Sequence, residues 1–231
     1  MVKKIIQDLK EMSNPKFRSG MSHFGIQAET ALGIKIPVLR SYAKQYKKQH
    51  ELALELWKSK IHEAKILAIM IADPAQVDED FMEAWIKDFY SWDLVDGACS
   101  ALFCRHPLAF IKAVEWTKRK SEYEKRSGFS LMAYLAVHDK KAADKKFIDL
   151  LPFLEKEAHD ERNFVKKAVN WALRQIGKRN VVLHKEAIAC AYRIKQQESK
   201  SAKWIAADAL RELEGEKYRA LVKKKSEKKK S

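Results

Sequence analysis

Residues 164–176 read Phe164-Val165-Lys166-Lys167-Ala168-Val169-Asn170-Trp171-Ala172-Leu173-Arg174-Gln175-Ile176. Val165, Ala168, Val169, Ala172, Leu173 and Ile176 recur at i, i+3, i+4, i+7, i+8 and i+11, the apolar stripe of an amphipathic helix. The pattern predicts a helix over residues 161–179. Its opposite face carries Lys167, Trp171, Arg174 and Lys178. The run Ala172-Leu173-Arg174-Gln175-Ile176 returns as Ala209-Leu210-Arg211-Glu212-Leu213, so the helix is one copy of a repeat.

Working outward, the rest of the chain reads the same way. Only 7 Gly and 5 Pro punctuate 231 residues, and β-branched alternation is scarce, which predicts an all-α chain. Short helices are expected at 2–12 and 16–24. A turn follows at Gly33-Ile34-Lys35-Ile36-Pro37, with Pro37 as a first helical residue, and then a helix at 38–48. Helical pairs follow at 51–58 with 61–72, 78–90 with 91–104, 107–119 with 122–138, 143–158 with 161–179, and 181–196 with 201–214. Pro152 is expected to kink the 143–158 member. Second members start every roughly 30–40 residues, the period of a superhelical stack of HEAT-like helical hairpins, an α-solenoid. One domain over residues 1–221 follows, with a Lys-rich tail at 222–231 too charged to bury a core.

Composition narrows the function classes. The formal net charge is +15. Six lysines from Lys223 to Lys230 against Glu227 put +5 of it in the tail, leaving +10 on the body. So basic a body points to a polyanionic partner, nucleic acid before a membrane surface. The longest apolar run, residues 66–72, is too short to span a bilayer, and the N-terminus turns polar too soon for a signal peptide. Cys99, Cys104 and Cys190 form no C-x-x-C pair, and His62, His106 and His159 show no ligand spacing. A reduced cytoplasmic protein without structural zinc or any other metal or cofactor is expected.

The second informative stretch is Ser91-Trp92-Asp93-Leu94-Val95-Asp96-Gly97. It reads as a helix start, with Ser91 as cap and Asp93 in the first turn. Leu94, Val95, Ala98, Ala101 and Leu102 form its core stripe. Asp96 falls nearly opposite, with Trp92 one turn earlier on the same side. That pair fits either a functional wall or a second packing interface with Asp96 paired to a lysine. On the helix from 161, Lys167, Arg174 and Lys178 can neutralise phosphates while Trp171 contacts sugar or base, or they form a solvated basic face. Arg126 is either a phosphate clamp or a surface arginine paired with Glu122. Glu63, Asp73 and Asp93 each have a ready helix-end role. A carboxylate in a cationic, aromatic groove repels phosphate, yet it suits a reaction that builds positive charge. Loss of a base does so, because the sugar becomes oxocarbenium-like and a fixed carboxylate stabilises it and orients water.

These residues resemble those of the AlkD-like DNA alkylation-repair glycosylases, a family of HEAT-like repeat proteins. The resemblance covers nearly everything but the tail. It rests on Gly33-Ile34-Lys35-Ile36-Pro37 with Arg40, on Ser91-Trp92-Asp93-Leu94-Val95-Asp96, on Arg126, and on residues 164–174. It implies release of N3- and N7-alkylated purines from duplex DNA, with Asp96 as catalytic acid, Trp92 and Trp171 as groove tryptophans and Arg126 as the clamp. It also implies an open groove that holds the damaged backbone, in place of base flipping. Ser91 stands where well-known members carry another aromatic residue, and some relatives bind DNA without excision. The expected partner is therefore alkylated duplex DNA, bound by a monomer without an obligate protein partner. Two other readings are a non-catalytic solenoid that recognises damaged or branched DNA, and a protein-interaction scaffold. The basic face speaks against the scaffold, and Asp96 beside Trp92 favours the enzyme over the binder.

Overall fold

The computed structural model describes residues 1–26, 29–216, 218 and 220. Among them there are helices and turns and no strand. The Lys-rich run from 222 lies outside the described residues. Residues up to His106 form one compact unit, and the described residues from Pro107 onward form another.

The first unit holds α1 (Val2–Glu11), α2 (Pro15–Met21), α3 (Ile36–Ala43), α4 (His50–Trp57), α5 (His62–Ile71), α6 (Glu79–Lys87) and α7 (Trp92–Ala101). Pro37 is the second residue of α3 rather than its first, a position where its missing N–H still costs nothing. Trp57 stacks on Trp85 with ring centroids 3.8 Å apart, and Phe81 stacks on Trp85 in turn, so α4 and α6 share an aromatic core. The turn before α3 is pinned from inside. The buried Glu63 carboxylate on α5 accepts the backbone N–H groups of Leu32, Gly33 and Ile34 at 2.8, 2.7 and 3.1 Å. Gly33 sits at φ +80, and a Cβ there would lie 2.3 Å from the Asn14 carbonyl oxygen. Both the left-handed backbone and the close approach to α2 therefore require glycine.

The second unit holds α8 (Ala109–Thr117), α9 (Glu122–His138), α10 (Asp144–Ile148), α11 (Leu151–Glu157), α12 (Asn163–Gly177), α13 (Val181–Lys195) and α14 (Lys200–Leu213). Within hairpins α8 packs on α9, α11 on α12 and α13 on α14, while the second helices α9, α12 and α14 stack in series. Gly128 lets α9 close on α8, since a Cβ there would lie 2.8 Å from the Ala113 carbonyl oxygen. The expected kink at Pro152 is a full break: α10 ends at Ile148 and Pro152 lies in the first turn of α11. Proline has no N–H for the Ile148 carbonyl, and its ring would clash there, so the chain restarts a helix instead of bending one.

The core stripes agree with the periodicity. Val165, Ala168, Val169, Ala172, Leu173 and Ile176 are buried, as are Leu94, Val95, Ala98 and Leu102. Ala101 is only half-buried, because it closes α7 where the chain turns into a 3₁₀ segment at Phe103–Arg105.

Candidate functional site

The six tryptophans divide by element. Trp57 on α4, Trp85 on α6 and Trp116 on α8 are 5, 3 and 0 % exposed and belong to the core. Trp92 on α7 and Trp171 on α12 are half-buried, and Trp204 on α14 is exposed. Core tryptophans thus sit on first helices, and the half-buried or exposed ones on second helices.

In the first unit, Trp92 and Asp96 lie one turn apart on α7, both half-buried, so indole and carboxylate are helical neighbours. The Trp92 indole N–H donates to the Phe24 carbonyl at 2.8 Å, tying α7 to the segment after α2. Phe24 itself is 69 % exposed. No sequence period links residue 24 to residue 92, so its place beside Trp92 was illegible. Ser91 is the N-cap residue but makes no side-chain cap bond. Its hydroxyl donates to Asp93 instead, a local bond that competes with capping. Asp93 also accepts from the Leu94 N–H at 3.0 Å and lies 2.8 Å from Nε2 of the fully buried His62, whose Nδ1 is 3.1 Å from the Tyr90 hydroxyl. Burial pushes the Asp93 carboxyl up, but the His62, Ser91 and Leu94 bonds outweigh it and hold the group below the usual carboxylate range. Asp73 accepts from the Ala75 N–H at 3.2 Å, capping a 3₁₀ turn as its position suggested. Glu63 differs: it lies in the first turn of α5, yet its carboxylate serves the turn at 32–34.

In the second unit, α9 grips the start of α12. Glu122 accepts the Phe164 N–H at 3.1 Å, and Arg126 donates to the Phe164 carbonyl at 2.8 Å. The N–H is one of the donors a helix start leaves unpaired. Arg126 is only 5 % exposed, so it is not a surface arginine. Lys167 is exposed. Trp171 packs edge-on against Tyr134 of α9, with ring centroids 4.9 Å apart and planes at 88°, which fixes the indole. Arg174 and Lys178 are held by α14. Both pair with Glu212, and Arg174 also lies 3.6 Å from Asp208. Burial pushes the Glu212 carboxyl up, but Lys178, Tyr218 and Arg174 outweigh it and keep it below the usual range. Reading one helix alone could not reveal this pairing, because the acids sit on the next second helix.

The structure therefore gathers Trp92 and Asp96 in the first unit, and Arg126, Lys167, Trp171, Arg174 and Lys178 in the second. The first set offers a carboxylate beside an aromatic face. The second offers one exposed cation next to an oriented indole, with two further cations countered by carboxylates. Among the described residues no group of three or more His, Cys, Asp or Glu is placed to hold a metal ion, and no described helix is long and apolar enough to cross a membrane.

A family model described as DNA alkylation repair enzyme matches residues 5–213. A solved structure shares the fold, with a TM-score of 0.76 at 22 % identity over 90 % of this chain and 94 % of the other. That structure is described as a new family of proteins related to the HEAT-like repeat DNA glycosylases, with affinity for branched DNA structures. Comparison with curated proteins gave no match.

Proposed function

Because the chain belongs to the DNA alkylation repair enzyme family, we propose that it hydrolyses the N-glycosidic bond of N3- and N7-alkylated purines in duplex DNA. The observation that carries this reading is Asp96, an acid one helical turn from Trp92 and on the side of α7 away from its core stripe. The nearby acids Asp93 and Glu63 serve the fold in buried networks.

An alkylated purine is already cationic and leaves readily. As the bond from C1′ to the purine nitrogen lengthens, its electron pair goes to the purine, which becomes neutral, and positive charge moves onto the sugar. A fixed carboxylate at Asp96 stabilises that charge. Water then bonds to C1′ and gives up a proton, with Asp96 orienting it and accepting the proton. The face of Trp92, beside Asp96 on the same helix, favours the cationic base or sugar, and on the second unit Trp171 offers an aromatic face to a nucleotide. Lys167 contacts phosphate, Arg126 holds the start of α12 from within the fold, and Arg174 and Lys178 lie on the same face of α12 with their charge countered by Glu212. Phosphate contacts of this kind position DNA without choosing sequence.

The test is direct: incubate the protein with methylated duplex DNA and assay free 3-methyladenine and 7-methylguanine. Release above the spontaneous rate supports excision. No release, together with tight binding to branched duplexes, transfers the reading to a non-catalytic DNA-binding protein. The affinity for branched DNA ascribed to the structural neighbour supports that second reading.

A further inference from the structure

We infer that Trp204 on α14, with Lys166 and Lys203, forms a further DNA-backbone contact that extends the DNA-facing side of α12 by one helix. The inference rests on the proposed DNA-binding reading of α12 and adds a site to it.

The register is the first observation. Lys167 lies five residues before Ala172, and Trp204 five residues before the matching Ala209. Trp204 therefore occupies on α14 the place that Lys167 occupies on α12, away from the buried stripe of Ala202, Ile205, Ala206, Ala209 and Leu213. Bonds across the two helices join residues one step off that register and set Lys166 opposite Trp204: Asn170 donates to Asp208 at 2.7 Å, and Arg174 pairs with Glu212, each 38 positions on.

Exposure is the second. Trp204 is 41 % exposed, on the same class of helix as Trp92 and Trp171, whereas the tryptophans on α4, α6 and α8 are buried. An indole left this open gains little from packing.

Charge is the third, and it selects the occupant. The Lys166 ammonium lies 5.1 Å from the Trp204 ring centroid, and Lys167 and Lys203 are exposed beside it in sequence and register. Three acids bear on this face. Asp208, one turn after Trp204, is engaged by Asn170, Arg174 and Arg211. Glu161 is engaged by Ser199 and the Ser201 N–H. Glu198 lies 3.4 Å from Lys203 with both side chains largely in solvent, a pairing worth little. An aromatic ring among lysines matches a polyanion with a sugar surface. The chain's own Lys-rich C-terminus has the wrong sign of charge to cover it.

Neighbouring helices pack about 8–10 Å apart, and each strand of a duplex rises 3.4 Å per step, so the added contact lies about three base pairs beyond that of Trp171. That predicts a length dependence. With the full chain and duplexes shortened in steps of about three base pairs, Trp204→Ala should weaken binding of a long duplex about tenfold, the scale of one aromatic contact to a nucleotide. Lys166→Ala should reduce the salt slope by about one contact. Both losses should vanish once the duplex is too short to reach α14, and Trp204→Phe should recover most of the affinity. Equal binding by parent and Trp204→Ala at every length overturns the inference while leaving the DNA-binding reading intact. A melting temperature that falls with the affinity also overturns it, since the ring would then be a packing element. A parent that binds no duplex removes the DNA-binding reading and this site with it.

Discussion

Two acids of the first unit and two on α14 of the second are put to opposite uses. In the first unit, Glu63 holds three backbone N–H groups of the turn at 32–34, and Asp93 joins His62 and Ser91 beneath the start of α7. Both support the architecture behind Trp92 and Asp96. In the second unit, Asp208 and Glu212 reach α12 and hold Arg174 and Lys178, cations of the candidate DNA-binding face. Glu63 and Asp93 set geometry, and Asp208 and Glu212 set how much positive charge α12 offers. Removing one should therefore damage the fold in the first case and strengthen DNA binding in the second.

The largest effect should come from Glu63→Gln. The amide keeps the shape but loses the charge, and it turns one acceptor into a donor facing backbone N–H groups. A loss of about 3 kcal/mol is expected in urea unfolding, since charge-assisted bonds to a buried carboxylate are the strong ones. Unchanged stability would show that the turn at 32–34 holds itself.

Asp93→Asn should cost about 2 kcal/mol and also change the pH profile. The Asp93 carboxyl sits below its usual range in the folded state, so its contribution is fully present above the unfolded value of about 4 and disappears as pH falls through the lower folded value. The parent should lose more stability than the variant on acidification below about pH 4. Parallel acid limbs would mean that the His62–Asp93 pair adds nothing net.

The second unit should respond the other way. Glu212→Gln should cost about 1 kcal/mol or less, as expected for a partly exposed ion pair. It should also release Arg174 and Lys178, raising duplex affinity and steepening the salt dependence by about one contact. Lys167→Ala should flatten that slope by about one, whereas Arg174→Ala should change it less because Glu212 already counters the charge. If Glu212→Gln binds DNA no better, Arg174 and Lys178 are structural and the open positive charge of α12 is Lys167.

Much of this was legible in the sequence. The helix expected at 122–138 is α9 (Glu122–His138), and the stripe from Val165 to Ile176 is buried as its spacing requires. Periodicity reports which side of a helix faces the core, and here it separated Trp92, Asp96, Lys167 and Trp171 from their core stripes. It is silent on what the next helix brings. The role of Glu63, the grip of Arg126 on Phe164 and the pairing of Arg174 with Glu212 all join residues 29–38 positions apart, beyond any local pattern. Pro152 and Ser91 failed for a local reason. Proline ended a helix that was expected to bend, and the serine hydroxyl found a carboxylate two residues away before it found a helix N–H.

The most direct test of the account is single-turnover excision of 7-methylguanine from duplex DNA by the parent and by Asp96→Asn, with DNA affinity measured alongside. The substitution keeps size and hydrogen bonding and removes the charge. If Asp96 stabilises an oxocarbenium-like sugar, the rate should fall about 10²–10³-fold, the scale of one electrostatic stabiliser, while affinity stays the same or rises. An Asp96→Asn protein that excises as fast as the parent would contradict the account and leave the carboxylate a structural group.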